Sequence, residues 1–492
     1  MMATALLGEP LHNALVEFDE HGAWAPNYEE QGTVLGMDGG LLGIDITDEQ
    51  IIDGRAIAAA RQIEITYQVS RFPTDHANTV RLTLTGELGA RLVLVAVSLG
   101  GGMCEIRLFN GRRVSLFGGY YEWLGTLSQA LSMPQQARLE ATLSPHPASV
   151  AQVQDKLLHV RSPEPLSNEV LAVLEQVDGF TSSVTCVPVL PIISGREGTF
   201  PFITYQDMIA TEAYSTNTLG ELGLAYEAAR SGLDEATLLD KMTNLMGLIE
   251  ASIAKGLAGT EYADRILPQQ SHRIATAEAE GRLPTTGLVN RLIENITAIM
   301  ESKSAMHIIV AAPTAGGCGA LGGTIKAVAD ANEFSAEAKV KSYFAAGLVG
   351  VFFAQGPGFS AEEGGCQLET GAAAAMAAAA LADLNGGTAH HAVAAASMAL
   401  QNTIGLVCDP VADRVEVPCL GKNVTAGMNA LAASTMALAG FNAVIPLDEV
   451  IDTVASVAAS MPRSLCCTGF GGLAATPTSA KLKADLQARC AC

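Results

Sequence analysis

Between residues 60 and 125 apolar and polar positions alternate in short runs, IEITYQVSRF, TVRLTLTG, ARLVLVAVSLGGG and CEIRLFNG, each rich in β-branched residues and most closed by glycine. A period of two with turn residues at the ends predicts strands that bury one face, so this stretch predicts a sheet. From about 143 to 166 the pattern lapses into LSPHPASVAQVQDKLLHVRSPEP, with four prolines, which predicts a boundary. Beyond 167 the period lengthens to three or four, as in LGELGLAYEAARSGLDEATLLDKMTNLMGLIEASIAKGL, the spacing of amphipathic helices. Residues 371–384, GAAAAMAAAALADL, are the most apolar run. The run is short of the ~20 residues a bilayer requires and carries Asp383, so it predicts a helix buried in protein. The expected architecture is α+β: an N-terminal mixed α/β sheet domain over 1–160 and a large all-helical catalytic domain over 161–492.

Composition narrows the class. Of the 492 residues 49% are hydrophobic and 16% charged, which suits a globular chain and not a disordered one. Asp and Glu exceed Lys and Arg by enough to give a net charge of -22, which repels phosphate backbones and anionic membranes. Neither nucleic acid nor membrane is an expected partner. The start, MMATALLGEPLHNALVEFDEHG, has no basic n-region and reads as neither a secretory signal nor a transit peptide, so a cytoplasmic location is expected.

The helical part is punctuated by glycine-rich turns: APTAGGCGALGG at 312–323, GPGFSAEEGGC at 356–366 and TGFGGLAATPT at 468–478. GALGG lacks the βαβ context of a dinucleotide site. Ten cysteines stand at 104, 186, 318, 366, 408, 419, 466, 467, 490 and 492. Three of them, Cys366, Cys408 and Cys419, lie beside Gly or Pro in loop-like surroundings, and thiolates on loops between helices suit zinc or an iron–sulfur cluster. No CxxC pattern is present, so spacing alone is better served by three unrelated buried thiols.

The stretches SAEEGGCQLETG, MAAAALADLNGG, LVCDPVADRVEVPC, DEVIDTV and GGLAATPT resemble, in sequence and order, the α domain of the iron–sulfur-dependent L-serine dehydratases, or L-serine ammonia-lyases. FPFITYQDMI, AYEAAR, RILPQQSHRIATA and HIIVAAPTAGGCG extend the resemblance upstream, so that it covers most of 200–480. HANTVRLTLTG at 76–86 and SLGGG at 98–102 resemble the family's β domain more weakly, and its N-terminal serine-rich, histidine-bearing loop has no counterpart here.

The resemblance implies that Cys366, Cys408 and Cys419 hold a [4Fe-4S] cluster whose fourth iron has no protein thiolate and acts as a Lewis acid. It implies a β-elimination that turns L-serine into pyruvate and ammonia, without pyridoxal phosphate, in a homodimer acting on a small-molecule amino acid. It places His76 as the catalytic base and Asn78 beside it as a substrate ligand. The glycine-rich turn itself makes Thr314 and Gly316 candidate donors to the substrate carboxylate, the alternative being tight helix packing. Some relatives place a C-terminal cysteine on the open iron, a role that falls here to Cys492 or Cys490; the alternative is a frayed tail. Cys466 and Cys467 match no ligand of the family and read as core or adventitious. His272 and His307 receive no role, and His390 and His391 read as a solvated helix start. Glu362, Glu363 and Glu369 read as solvated or as orienting a ligand, and Asp409 as a turn cap.

Two further functions stay open: a related lyase acting on cysteine as a desulfidase or on a bulkier β-hydroxy amino acid, and a cluster-bearing amino-acid sensor without turnover.

Overall fold

The computed structural model describes residues 1–492 apart from 155, 190–199, 286 and 491–492. Its first part carries ten strands: β1 (Leu11–Asp19), β2 (Glu64–Ser70), β3 (Thr79–Gly86), β4 (Arg91–Gly100), β5 (Met103–Phe109), β6 (Arg112–Leu116), β7 (Tyr121–Leu127), β8 (Ser149–Gln154), β9 (Leu157–Ser162) and β10 (Phe180–Cys186). Six form one sheet in the order β2-β1-β3-β4-β5-β6, and four a second in the order β10-β7-β9-β8. Among the pairs of described strands, β1–β2 is parallel and the others are antiparallel.

The alternation seen in the sequence sets the register of the first sheet. Val16 of β1 faces Leu82 of β3, which faces Leu94 of β4; one step on, Ala14, Leu84 and Leu92 line up in the same way. All six are buried, so one face of the sheet is a continuous apolar ladder. The four runs read as strands correspond to β2, β3, β4 and β5. The proline-bearing stretch 143–166 was expected to lie outside the sheets and instead contributes β8 and β9. Its prolines fall before β8 and after β9, where no ladder hydrogen bond is lost. The boundary expected at 160 therefore falls inside β9, and β10 carries the second sheet on to Cys186.

The second part is helical. Its main elements are α1 (Leu219–Ser231), α2 (Glu235–Ala258), α3 (Leu288–Ser304), α4 (Cys318–Ala331), α5 (Ala336–Gln355), α6 (Ala372–Leu384), α7 (Ala389–Gln401), α8 (Cys419–Leu438), α9 (Leu447–Ser460) and α10 (Pro477–Cys490). α6 is the alanine run, and all 13 of its residues are buried. It packs against α4, α5, α7 and α8 at once. Alanine makes this possible, because a one-carbon side chain lets four helices approach a fifth closely while costing no side-chain entropy. Asp383 near the end of α6 does not reach solvent; its carboxylate accepts the Gly220 N–H at 2.8 Å at the start of α1, and burial raises its pKa. No helix among the described residues is long and apolar enough to cross a membrane.

Candidate metal and substrate site

Cys366, Cys408 and Cys419 each stand at the edge of a helix or loop, and each position is built by a different local device. Cys366 follows two glycines. Gly365 has φ +79, and a Cβ there would meet the Leu406 carbonyl at 2.8 Å; a Cβ on Gly364 would meet Ala458 at 2.4 Å. Only glycine lets α9 and the 406 segment close over the Cys366 backbone. After Cys366 the chain makes one π-helical turn, Gln367–Gly371, before entering α6; such turns are frequent at functional sites because they rotate side chains out of α register.

Gln367, fully buried, ties this turn to the next ligand loop. Its backbone N–H donates to the Leu406 carbonyl at 2.9 Å, its Oε1 accepts the Gly405 N–H at 2.9 Å, and Cys408 follows two residues on. Asp409 is held in turn by Lys422 Nζ at 2.7 Å and by the Leu473 N–H at 2.9 Å, so it fixes the loop rather than merely capping it. Cys419 opens α8. Asn423, one turn later and fully buried, donates from Nδ2 to the Cys419 carbonyl at 2.9 Å and to the Gly316 carbonyl at 2.7 Å, while its Oδ1 accepts the Ala320 N–H at 3.0 Å. One amide thus joins the Cys419 helix to the 314–320 turn.

The sulfurs of Cys366 and Cys408 and a carboxylate oxygen of Glu369 lie within 4.8 Å of one another, a Cys/Glu group able to hold a metal ion. Cys419 lies beyond that radius but close enough to Cys366 and Glu369 for their charges to raise its thiol pKa, after burial, which is the larger cause. All three thiols are buried and unpaired. A hydrogen bond from the Cys408 thiol, together with the nearby Lys422 ammonium, lowers the Cys366 pKa; Cys408 is raised as the donor of that pair. Glu369 is pushed up to about 8 by burial and then by the charges of Cys366 and Glu362. Thr314, also buried, hydrogen-bonds its carboxyl, and a Cβ on Gly316 would meet its Oε2 at 2.6 Å. Thr314 and Gly316 therefore pack against Glu369, whose place beside the thiols suits the expectation of a ligand-orienting carboxylate better than that of a solvated one.

The sheet region forms the opposite wall. Asn78, 3% exposed, donates from Nδ2 to Ser360 Oγ at 3.0 Å and to Glu362 Oε2 at 3.2 Å. The Ala77 N–H donates to Glu363 Oε1 at 3.1 Å. His76 Nδ1 accepts the Asn78 N–H at 3.1 Å, which assigns the proton of the neutral ring to Nε2. The SLGGG run packs beside them: a Cβ on Gly101 would meet the Pro313 carbonyl at 2.5 Å, and one on Gly100 the backbone of Phe359 and Ser360 at 3.0 Å. Glu362, half-buried, and Glu363, which is exposed as a solvated carboxylate should be, both accept hydrogen bonds across the join. Asn78 Oδ1 is buried and has no partner among the described residues.

The other histidines singled out in the helical region have different surroundings. His391 accepts the Thr388 N–H on Nδ1 at 3.2 Å in a capping box at the start of α7, in keeping with the reading of His390 and His391 as a helix start. His272 is exposed and His307 half-buried. Cys492 lies outside the described residues, as does the side chain of Cys490. The Cys466–Cys467 pair divides: Cys467 packs with Cys366 and Cys408, whereas Cys466 Sγ faces the Pro462 carbonyl at 3.6 Å. Sequence reasoning missed Cys467, Gln367, Asn423 and Lys422, because a buried amide or lysine carries no motif and its role depends on elements brought together only by folding.

Comparison with known proteins supplies the class. The family described as "Serine dehydratase alpha chain" matches residues 168–474. A protein named "Probable L-serine dehydratase, alpha chain" from Bacillus subtilis (strain 168) is 36% identical over 265 residues, covering 54% of this chain and 88% of that protein. One of the same name from Latilactobacillus sakei is 42% identical over 194 residues, 39% of this chain and 93% of its own. "L-serine dehydratase 1" of Escherichia coli (strain K12) is 36% identical over 179 residues, 36% of this chain and 39% of that protein. With a family match over more than half its length, the chain belongs to the serine dehydratase alpha-chain family and is an ammonia-lyase enzyme.

Proposed function

We propose that this protein dehydrates and deaminates L-serine to pyruvate and ammonia, with a [4Fe-4S] cluster held by Cys366, Cys408 and Cys419. The observation that carries the reading is the grouping of buried thiols free of disulfides: Cys366 and Cys408 lie together with Glu369, and Cys419 is near enough to feel the charges of Cys366 and Glu369. The donor set fits such a group: soft sulfur ligands on separate loops, without histidine, beside the ammonium of Lys422, which favours thiolate at Cys366. When bound, the cluster supplies a Lewis-acid iron that weakens the Cβ–O bond of a β-hydroxy amino acid.

The chain's own residues do the rest. Asn78 Oδ1, buried without a partner, is an acceptor ready for the substrate ammonium. Thr314 and the Gly316 turn hold Glu369 against the thiols. His76 presents Nε2–H while Nδ1 holds the Asn78 amide, so in the substrate-free protein it is a hydrogen-bond donor. It becomes the base expected from the sequence only when Nδ1 is released.

The reading includes a cytoplasmic homodimer. Unpaired cysteines suit a reducing compartment. Phe441 and Val444, 57% and 79% exposed beside a cleft of about 530 Å³, give an apolar rim for a second copy to cover. Anaerobically purified protein given L-serine should release pyruvate and ammonia in equal amounts. Release of sulfide from L-cysteine, or turnover of a bulkier β-hydroxy amino acid with serine inert, would transfer the assignment to a related lyase. Binding of serine without turnover would make it a sensor.

A further inference from the structure

Among the described residues, Cys467 is a thiol that the reading above leaves unused although it packs directly against two of the ligand cysteines. It is 5% exposed and packs with Ala361, Cys366, Cys408 and Leu406. Its backbone is locked to a ligand loop: the Cys467 N–H donates to the Cys408 carbonyl at 2.9 Å, and the Cys408 N–H donates to the Leu465 carbonyl at 2.8 Å. Its φ is +57, a left-handed conformation that a residue with a side chain adopts at a cost.

The neighbour shows that this arrangement is not a general property of the segment. Cys466 Sγ faces the carbonyls of Pro462 and Glu363, at 3.6 and 3.9 Å, away from the other thiols. The left-handed turn at 467 reverses the direction and brings the next sulfur alongside Cys408. The sheet region then adds two donors. Gln31 Nε2 donates to Cys467 Sγ at 3.6 Å, and Asn27 Nδ2 donates to the Cys467 carbonyl at 3.3 Å. An amide N–H directed at a buried sulfur is the outer-shell contact expected of a metal thiolate.

We propose that Cys467 is the fourth protein thiol of the centre, taking up in the substrate-free enzyme the iron that Cys366, Cys408 and Cys419 leave without protein sulfur. The proposal rests on the cluster reading of the preceding section and removes the need for Cys490 or Cys492 in that role. A resting ligand from the body of the fold is tied to Gln31 and Asn27 of the sheet region, so the wall that carries Asn78 also sets the position of the sulfur.

The test compares anaerobically purified wild type, Cys467→Ser, Cys466→Ser and a chain ending at 489. Iron and sulfide content, Mössbauer spectra and the growth of a three-iron paramagnetic signal in air are followed, with circular dichroism as a check on folding. In wild type and in the shortened chain all four irons should be sulfur-ligated, with Cys466→Ser unchanged. In Cys467→Ser one iron should show oxygen or nitrogen coordination and be lost to air about tenfold faster or more. A Cys467→Ser cluster indistinguishable from wild type overturns the proposal, as does a unique iron that changes only when the tail is removed. Should Cys467→Ser fail to fold, the wild-type and shortened chains still decide, since a tail ligand predicts a difference between them and Cys467 predicts none. A wild type that binds no iron after reconstitution overturns the cluster reading itself.

Discussion

Asn78 and Ser360 meet across the join between the sheet and helical regions, with Asn78 Nδ2 donating to Ser360 Oγ at 3.0 Å six residues before Cys366. The same side chain leaves Oδ1 buried and unpaired among the described residues. A buried acceptor without a donor costs free energy unless a ligand satisfies it, so the pair reads as half of a substrate contact held in place by the other half. Asn78→Ala is expected to lower kcat/KM for L-serine about 10–100-fold, the size of a hydrogen bond to a charged group. Iron content should be unchanged. Steady-state kinetics with iron analysis checks both, and an unaltered kcat/KM removes Asn78 from the substrate site.

His76 carries two possible roles that one pair of variants separates. Glutamine keeps an N–H donor near the position of Nε2 but cannot take a proton. If His76 acts as the donor its hydrogen bonding implies, His76→Gln should retain much of the rate that His76→Ala loses. Equal, severe losses in both variants would restore the role of base.

Much of this site was legible in the sequence, and the limits of legibility have physical causes. Alternation over 60–109 predicts β2 to β5, since a half-buried strand must repeat every second residue. β8 and β9 were missed because prolines in their flanks masked short strands. The alanine run reads as a buried helix because nothing else suits so many small side chains. The thiols at 366, 408 and 419 were found through glycine and proline neighbours and ordered resemblance. Cys467 was not, because its direction depends on one left-handed φ, and the contact of Glu362 with Asn78 was not, because its partner is a loop 284 residues away in the chain.

Asn423 should matter more to the site than its lack of chemistry implies. It makes three hydrogen bonds while fully buried; its removal takes away the side-chain donor of the Gly316 carbonyl and leaves the Ala320 N–H with its 3.2 Å bond to the Gly317 carbonyl alone. Asn423→Ala is expected to cost about 1–3 kcal/mol in unfolding free energy, chiefly from the carbonyl left without its donor. It should also reduce cluster loading. Denaturant titration of the apoprotein and iron analysis test this; a loss below about 0.5 kcal/mol with full loading contradicts it.

In the sheet region, Glu17 on β1 faces Arg81 on β3, and the guanidinium holds the buried carboxylate down at about 2. A carboxylate whose folded pKa is depressed contributes stability that is present above its ordinary value near 4.5. That contribution is lost as pH falls from there toward 2. Glu17→Gln should therefore destabilise by about 3 kcal/mol at neutral pH, and the gap to wild type should close through that window. Unfolding titrations at a series of pH values follow it. A gap that stays constant between pH 5 and 2.5 would show that the pair contributes no acid-sensitive stability.

The central claim is that three thiols on separate loops hold a cluster at which serine reacts. The most direct measurement is iron and sulfide content with visible and paramagnetic spectra of anaerobically prepared protein, before and after adding L-serine. The account predicts four irons and four sulfides per chain, spectra altered by serine, and loss of cluster and turnover together in Cys366→Ala, Cys408→Ala or Cys419→Ala. A reconstituted protein without iron, or any of these variants with full turnover, would contradict it.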